Sequence, residues 1–139
     1  MGKGVSSLFL ICGLVLLVGG IGLVVVGVVT RAEVIRGMTE EEVTTEIDGE
    51  QVLVVTADAA MSMANLIKSH TLGNFGSYTS MERDDPNRAT YLSGLTLRNS
   101  LIIGRMGLQI GLLLMGLGAL FLVTGLPLTL AGISNLRKS

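Results

Sequence analysis

The sequence predicts a membrane protein, mainly α, in which two transmembrane helices are joined by a small extracytoplasmic segment holding a β-hairpin and one or two helices. Three observations predict it. Hydrophobic residues make up 49% of the 139 and charged residues only 15%, an imbalance that a soluble domain of this size does not show. All eleven acidic residues lie between Glu33 and Asp85, so a net charge of -1 conceals an acidic centre between two apolar ends. Those ends are long: residues 5–29 carry no charge, and residues 101–126 carry only Arg105. The expected division is therefore 1–30 as the first transmembrane helix, 31–100 as the extracytoplasmic segment, and 101–139 as the second transmembrane helix with a short cytoplasmic tail.

In the first span about 25 helical residues, at ~1.5 Å each, cross a hydrocarbon core of about 30 Å with some tilt. A cleaved signal peptide is the competing reading, since Lys3 supplies a positive start. Its apolar core is normally about 7–15 residues and ends at small residues. Here the run is longer and closes on Val28, Val29, Thr30 and Arg31, which favours an uncleaved anchor. In the second span Arg105 lies about one turn inside, where its stem can carry the guanidinium to the interface; a functional intramembrane charge is the sharper alternative. Pro127 removes a backbone donor and is expected to kink or end the helix. Lys3, Arg137 and Lys138 near the two ends compete with Arg31, Arg36 and Arg98 on the other side. A long connecting segment is translocated largely regardless of charge, so the expected placement is a multi-pass plasma-membrane protein with both termini cytoplasmic.

Small residues recur every seven positions in both spans. Ser6, Gly13, Gly20 and Gly27 form one stripe, and Gly104, Gly111, Gly118, Gly125 and Gly132 form the other. A seven-residue period holds one helix face toward a partner, and small residues on that face admit close backbone approach, so both stripes are expected to be packing seams. Gly107 with Gly111 adds a GxxxG pair. Glycine is also common in membrane helices in general, and Gly19, Gly22, Gly107 and Gly116 fall off the stripes. If the seams meet each other the chain closes as a hairpin; otherwise they await other helices.

Between the spans, Asp48-Gly49 is a two-residue hairpin signal between β-branched stretches, predicting strands over 43–47 and 51–55. The alternative is a helix in the first arm, capped by Thr39 with Glu42 three residues later. Thr56 is placed to cap a helix running through Ala59, Met63 and Ile67 toward His70, with Gly73 to end it and a loop over 73–80. Asp85-Pro86 suits the start of the next helix. From there Ala89, Leu92, Leu95 and Ile102 continue at helical spacing into the second span.

Chemical motifs are few. Met61, Met63 and His70, with Asp58 nearby, offer thioether and imidazole donors of the kind that suit copper, but residues two apart on a helix point to different sides, and methionines on a small amphipathic helix more often fill gaps in a core. Cys12 is the only cysteine and lies among apolar residues. With a single histidine, no Cys-His or Ser-His-Asp arrangement assembles. Glu82, Asp84 and Asp85 read as a solvated loop and helix cap rather than paired catalytic carboxylates. The basic residues are scattered without interleaved aromatics, which sets nucleic acid aside. Tyr78, Arg88 and Arg105 are candidate interface residues.

The stretch His70-Thr71-Leu72, then Gly76, Tyr78 and Met81, then Arg83-Asp84-Asp85-Pro86-Asn87-Arg88 and Leu97-Arg98 resembles a group of small actinobacterial two-span membrane proteins of uncharacterised function. The resemblance covers about residues 57–126, and the glycine-heavy spans depart from it. It implies a two-span architecture in a Gram-positive plasma membrane and transfers no catalytic residue.

Packing features outnumber chemical ones. The expected function is a noncatalytic accessory or structural subunit, not an enzyme, packed against larger integral-membrane subunits of a respiratory oxidoreductase or membrane monooxygenase and needing no cofactor of its own. Two alternatives stay open: a homo-oligomeric membrane scaffold or binding module, and an extracytoplasmic copper-handling protein.

Overall fold

The computed structural model describes residues 3–40, 44–47 and 49–137. It is mostly helical, with two helices long and apolar enough to cross a membrane. In order these are α1 (Lys3–Glu40), strands β1 (Thr44–Ile47) and β2 (Glu50–Leu53), α2 (Ala57–Phe75), a short 3-10 turn at Tyr78–Ser80, and α3 (Arg88–Arg137). The chain forms two compact units, one from Met1–Arg31 with Ile110–Ser139 and one from Ala32–Gln109. Both divisions fall inside a continuous helix, the second nine residues beyond the boundary expected at 100.

The first unit is a pair of helices whose outer surface is apolar. Val15, Val18, Leu112, Leu113 and Val123 are each at least 60% exposed. Ser6 is buried on the inner face. Pro127 lies inside α3, which continues for ten more residues to Arg137, so of the expected kink or ending at this proline the ending is corrected. The ring removes one backbone donor, but only a single rung of the helix ladder is lost, and flanking turns can carry the helix past it.

The second unit is built around α2. Thr56 caps it, its side-chain oxygen accepting from the Ala59 amide at 3.1 Å and so satisfying a donor that the first turn leaves free. β1 and β2 pair antiparallel with Thr44 opposite Leu53 and Ile47 opposite Glu50, a register that needs a two-residue loop. Gly49 sits there at φ +84, a left-handed conformation that glycine adopts without Cβ strain. Asp48, the first residue of that turn, lies outside the described residues.

Several expected boundaries differ: the second strand runs Glu50–Leu53 rather than 51–55, and Val43, the expected start of the first, lies outside the described residues. α1 does not end with its apolar run but continues through Thr39, whose hydroxyl donates to Ile35 O at 2.8 Å. Thr39 is thus a helix-interior residue, and the capping partner proposed for it, Glu42, lies outside the described residues. α2 runs past Gly73, around which there is open space, and stops at Gly76, whose φ of 71 and ψ of -152 break the helix while its amide still bonds Leu72 O at 2.9 Å. The expected loop over 73–80 therefore shrinks, and its end forms the 3-10 turn. α3 starts at Arg88 rather than at Asp85-Pro86; Asp85 instead closes a local turn, its Oδ1 accepting from the Asn87 amide at 2.8 Å.

The core of this unit is unusual in which side chains it buries. Val54, Ala59, Ala60, Ala64 and Leu101 form the buried cluster, with Met38, Met63, Ile67 and Ile102 packed at its margin. Larger apolar residues on the same elements lie outside, with Leu66, Leu72, Leu92, Leu95 and Leu97 all 38–45% exposed. Alanine buries little area, and full burial of a leucine stabilises by only about 1.5–3 kcal/mol. This cluster of three alanines, one valine and one leucine, with Tyr91 and Leu108 also buried in the unit, is thus a thin source of stability for a unit of this length.

Candidate functional site

The close approach of α1 and α3 in the first unit runs along the glycine stripes. A Cβ added to Gly20 lies 2.9 Å from Gly118 O, and one added to Gly118 lies 2.6 Å from Gly20 O. The same reciprocity joins Gly27 with Gly111, at 2.6 and 2.9 Å from each other's carbonyl oxygen, and Gly13 with Gly125, at 3.0 Å in each direction. Gly13 also faces Thr129, and a Cβ on Gly132 lies 2.7 Å from the Leu10 amide nitrogen. The stripes thus face each other within one chain. No side chain fits between the backbones, so their contact is dispersion at the shortest separation two helices allow. Gly22 and Gly116, off the stripes, meet nothing within 4 Å. In the second unit Gly104 faces the Met38 methyl, and a Cβ on Gly107 lies 3.0 Å from Val34 Cγ2. Only the Gly111 end of the GxxxG pair thus meets backbone.

Tyr78 and Arg88, read from sequence as interface residues, bind each other. Arg88 donates through one nitrogen to the Tyr78 hydroxyl at 2.6 Å, and through the other to Met81 O at 3.2 Å and Glu82 O at 3.1 Å. Its Cζ lies 4.4 Å from the Tyr78 ring centroid. Tyr91, buried, continues the cluster to Tyr78 at 5.5 Å and to Phe75 at 6.4 Å in an edge arrangement. One guanidinium therefore ties the connection between α2 and α3 to the first turn of α3. Charge-assisted donors and ring contacts make this a clasp rather than a reactive site.

Met61, Met63 and His70 do not converge. Met63 packs on the alanine cluster. Met61 turns toward α3, where Arg105 donates to its sulfur at 3.8 Å. His70 is exposed and lines an open groove with Asn74, Thr90 and Ser93. A sulfur beside a guanidinium is a poor ligand for a cation, and among the described residues no group of three or more His, Cys, Asp or Glu side chains comes together. Arg105 is half-buried, and its Nε is buried without a hydrogen-bond partner. Cys12 is exposed on α1.

α2 and α3 touch at Gly94, where an added Cβ lies 3.0 Å from Thr71 Oγ1. One side of this contact is the His70 groove. The other is a notch lined by Lys68 and Arg98 with Ile67, Leu72, Tyr91 and Leu95. Spacing within either helix gives no sign of this pairing. It becomes legible once α2 and α3 are set antiparallel, because Lys68 and Arg98 then fall at one level. Comparison with protein-family models, curated proteins and solved structures finds no match.

Proposed function

We propose that the chain is a noncatalytic accessory subunit: α1 and α3 anchor it in a bilayer as a closed hairpin, and the Ala32–Gln109 unit binds a larger integral-membrane protein. The observation that carries the reading is the imbalance in that unit, whose main buried cluster is mostly alanine while Leu66, Leu72, Leu92, Leu95 and Leu97 are exposed. Exposed apolar residues scattered singly are ordinary, but several on two neighbouring helices over a thin core mark a surface that gains stability when a partner covers it. Bilayer insertion is supported by the valine and leucine surface of the Met1–Arg31 and Ile110–Ser139 unit, which water would solvate poorly and acyl chains would not. With both termini cytoplasmic, the acidic unit lies outside the membrane.

The glycine seams are engaged within the chain and so give no reason to expect self-association. This weakens the homo-oligomeric scaffold, and the separation of Met61, Met63 and His70 weakens the copper reading. Extraction from the native membrane in mild detergent tests the proposal. Co-migration with a larger membrane protein, lost when Leu92 and Leu97 are both changed to Ser, is the expected result. Migration of the native chain alone opposes it.

A further inference from the structure

We infer that the notch between α2 and α3 binds an anionic amphiphile, an oxyanion head held between Lys68 and Arg98 with its hydrocarbon chain laid over Leu72 and Leu95. The two cations lie on facing helices and line one notch. Neither has an ion pair or hydrogen bond among the described residues. Nor do the helices supply a carboxylate to balance them. α3 contains no acidic residue from Arg88 to Arg137, and the one acid of α2, Asp58, lies ten residues from Lys68, about 15 Å along a helix. In a chain whose acids outnumber its bases, two cations that line one notch with no counter-charge among the described residues define a position for an anion. The fork of Arg98 and the point charge of Lys68 both suit a phosphate or carboxylate oxygen.

The floor of the notch selects among anions. Ile67, Leu72, Leu95 and the Tyr91 ring supply its apolar lining. Leu72 and Leu95 are 43% and 38% exposed beside the two charges. A free inorganic anion leaves these leucines in water, and an uncharged hydrocarbon leaves the cations unpaired. A molecule with both parts satisfies the whole notch. Gly94 keeps the two helices close at the notch, since an added Cβ there lies 3.0 Å from Thr71 Oγ1.

The test is native mass spectrometry of the purified full-length protein in non-ionic detergent with four probes: dioleoylphosphatidylglycerol, dioleoylphosphatidylcholine, oleate and inorganic phosphate. Phosphatidylglycerol or oleate should bind at one per chain, the tighter of the two identifying the head group, and phosphatidylcholine, whose quaternary ammonium is repelled by the two cations, and inorganic phosphate, which lacks the chain, should each bind at least about tenfold more weakly. Lys68→Gln with Arg98→Gln should reduce binding of the tighter probe by about tenfold or more, and the charge-preserving pair Lys68→Arg with Arg98→Lys, which also controls for folding, should retain it. Equal binding of phosphatidylglycerol, phosphatidylcholine and oleate, or full binding by the doubly neutralised variant, overturns the assignment. The site does not require the accessory-subunit reading: a chain that purifies alone yet binds these probes separates the two.

Discussion

Substituting Gly118 by Ala puts one methyl group where α3 meets α1. The new Cβ lies 2.6 Å from Gly20 O, 2.7 Å from Val24 Cγ2 and 2.9 Å from the Val24 amide nitrogen. Two of these three atoms are backbone, so no rotamer change relieves them. To restore an ordinary contact of 3.4 Å, the helices must part by about 0.8 Å, and a gap of that size forfeits a quarter to a half of each affected dispersion well. Overpacking of this kind costs about 1–3 kcal/mol, and the flanking layers at Gly111 and Gly125 lose contact with it, so a value of about 2–3 kcal/mol is expected. Gly116→Ala is the internal control: its Cβ meets nothing within 4 Å, and alanine is the better helix former. Both variants are compared by titrating dodecyl sulfate into mixed micelles and following energy transfer between dyes at cysteines introduced at positions 3 and 137 on a Cys12→Ser background. The Gly118 variant should open at a clearly lower dodecyl sulfate fraction, and the Gly116 variant should match the parent or exceed it. Equal midpoints for the two would refute the backbone-contact argument.

Three further outcomes follow from the second unit. Gly76→Ala forces a Cβ onto a residue at φ 71 and ψ -152, a region that only glycine occupies freely, and should cost about 1–3 kcal/mol, seen as a lower thermal midpoint. Tyr78→Phe removes the 2.6 Å bond from Arg88, worth about 1 kcal/mol. Trypsin should then cut at Arg83 faster, and an unchanged rate would mean that the other Arg88 bonds hold the loop alone. Thr56→Ala deletes the cap on α2 at a cost of about 1 kcal/mol, which hydrogen exchange at the Ala59 amide reads directly; unchanged protection would mean that the cap contributes nothing.

Periodic and strongly local features were legible from residues alone. The seven-residue glycine spacing named the face along which α1 and α3 approach, because only residues without a side chain permit carbonyl-to-Cα packing. Thr56 and Gly49 act through bonds and dihedrals within a few residues of themselves, which makes them readable one at a time. Boundaries set by distant contacts were not. Thr39 has the chemistry of a cap, yet a helix already running through it offers its hydroxyl the Ile35 carbonyl instead. Gly73 and Gly76 are the same residue type three positions apart, and the backbone turns only at the second. Arg88 starts α3 because its guanidinium gathers Tyr78, Met81 and Glu82, a convergence that no local propensity encodes. The Lys68 and Arg98 notch, likewise, exists only through the antiparallel pairing of two helices.

Disulfide trapping across the glycine seam tests the closed hairpin most directly. A Cβ built on Gly125 lies 3.0 Å from Leu16 Cβ, within a small outward adjustment of the ~3.8 Å that a disulfide requires. On a Cys12→Ser background in native membranes, Leu16→Cys with Gly125→Cys should oxidise within one chain and run as a crosslinked monomer. Leu14→Cys with Gly116→Cys should stay reduced, since Leu14 is exposed and Gly116 faces open space. Disulfide-linked dimers from the first pair, or no crosslink at all, would contradict the intramolecular seam on which the anchor rests.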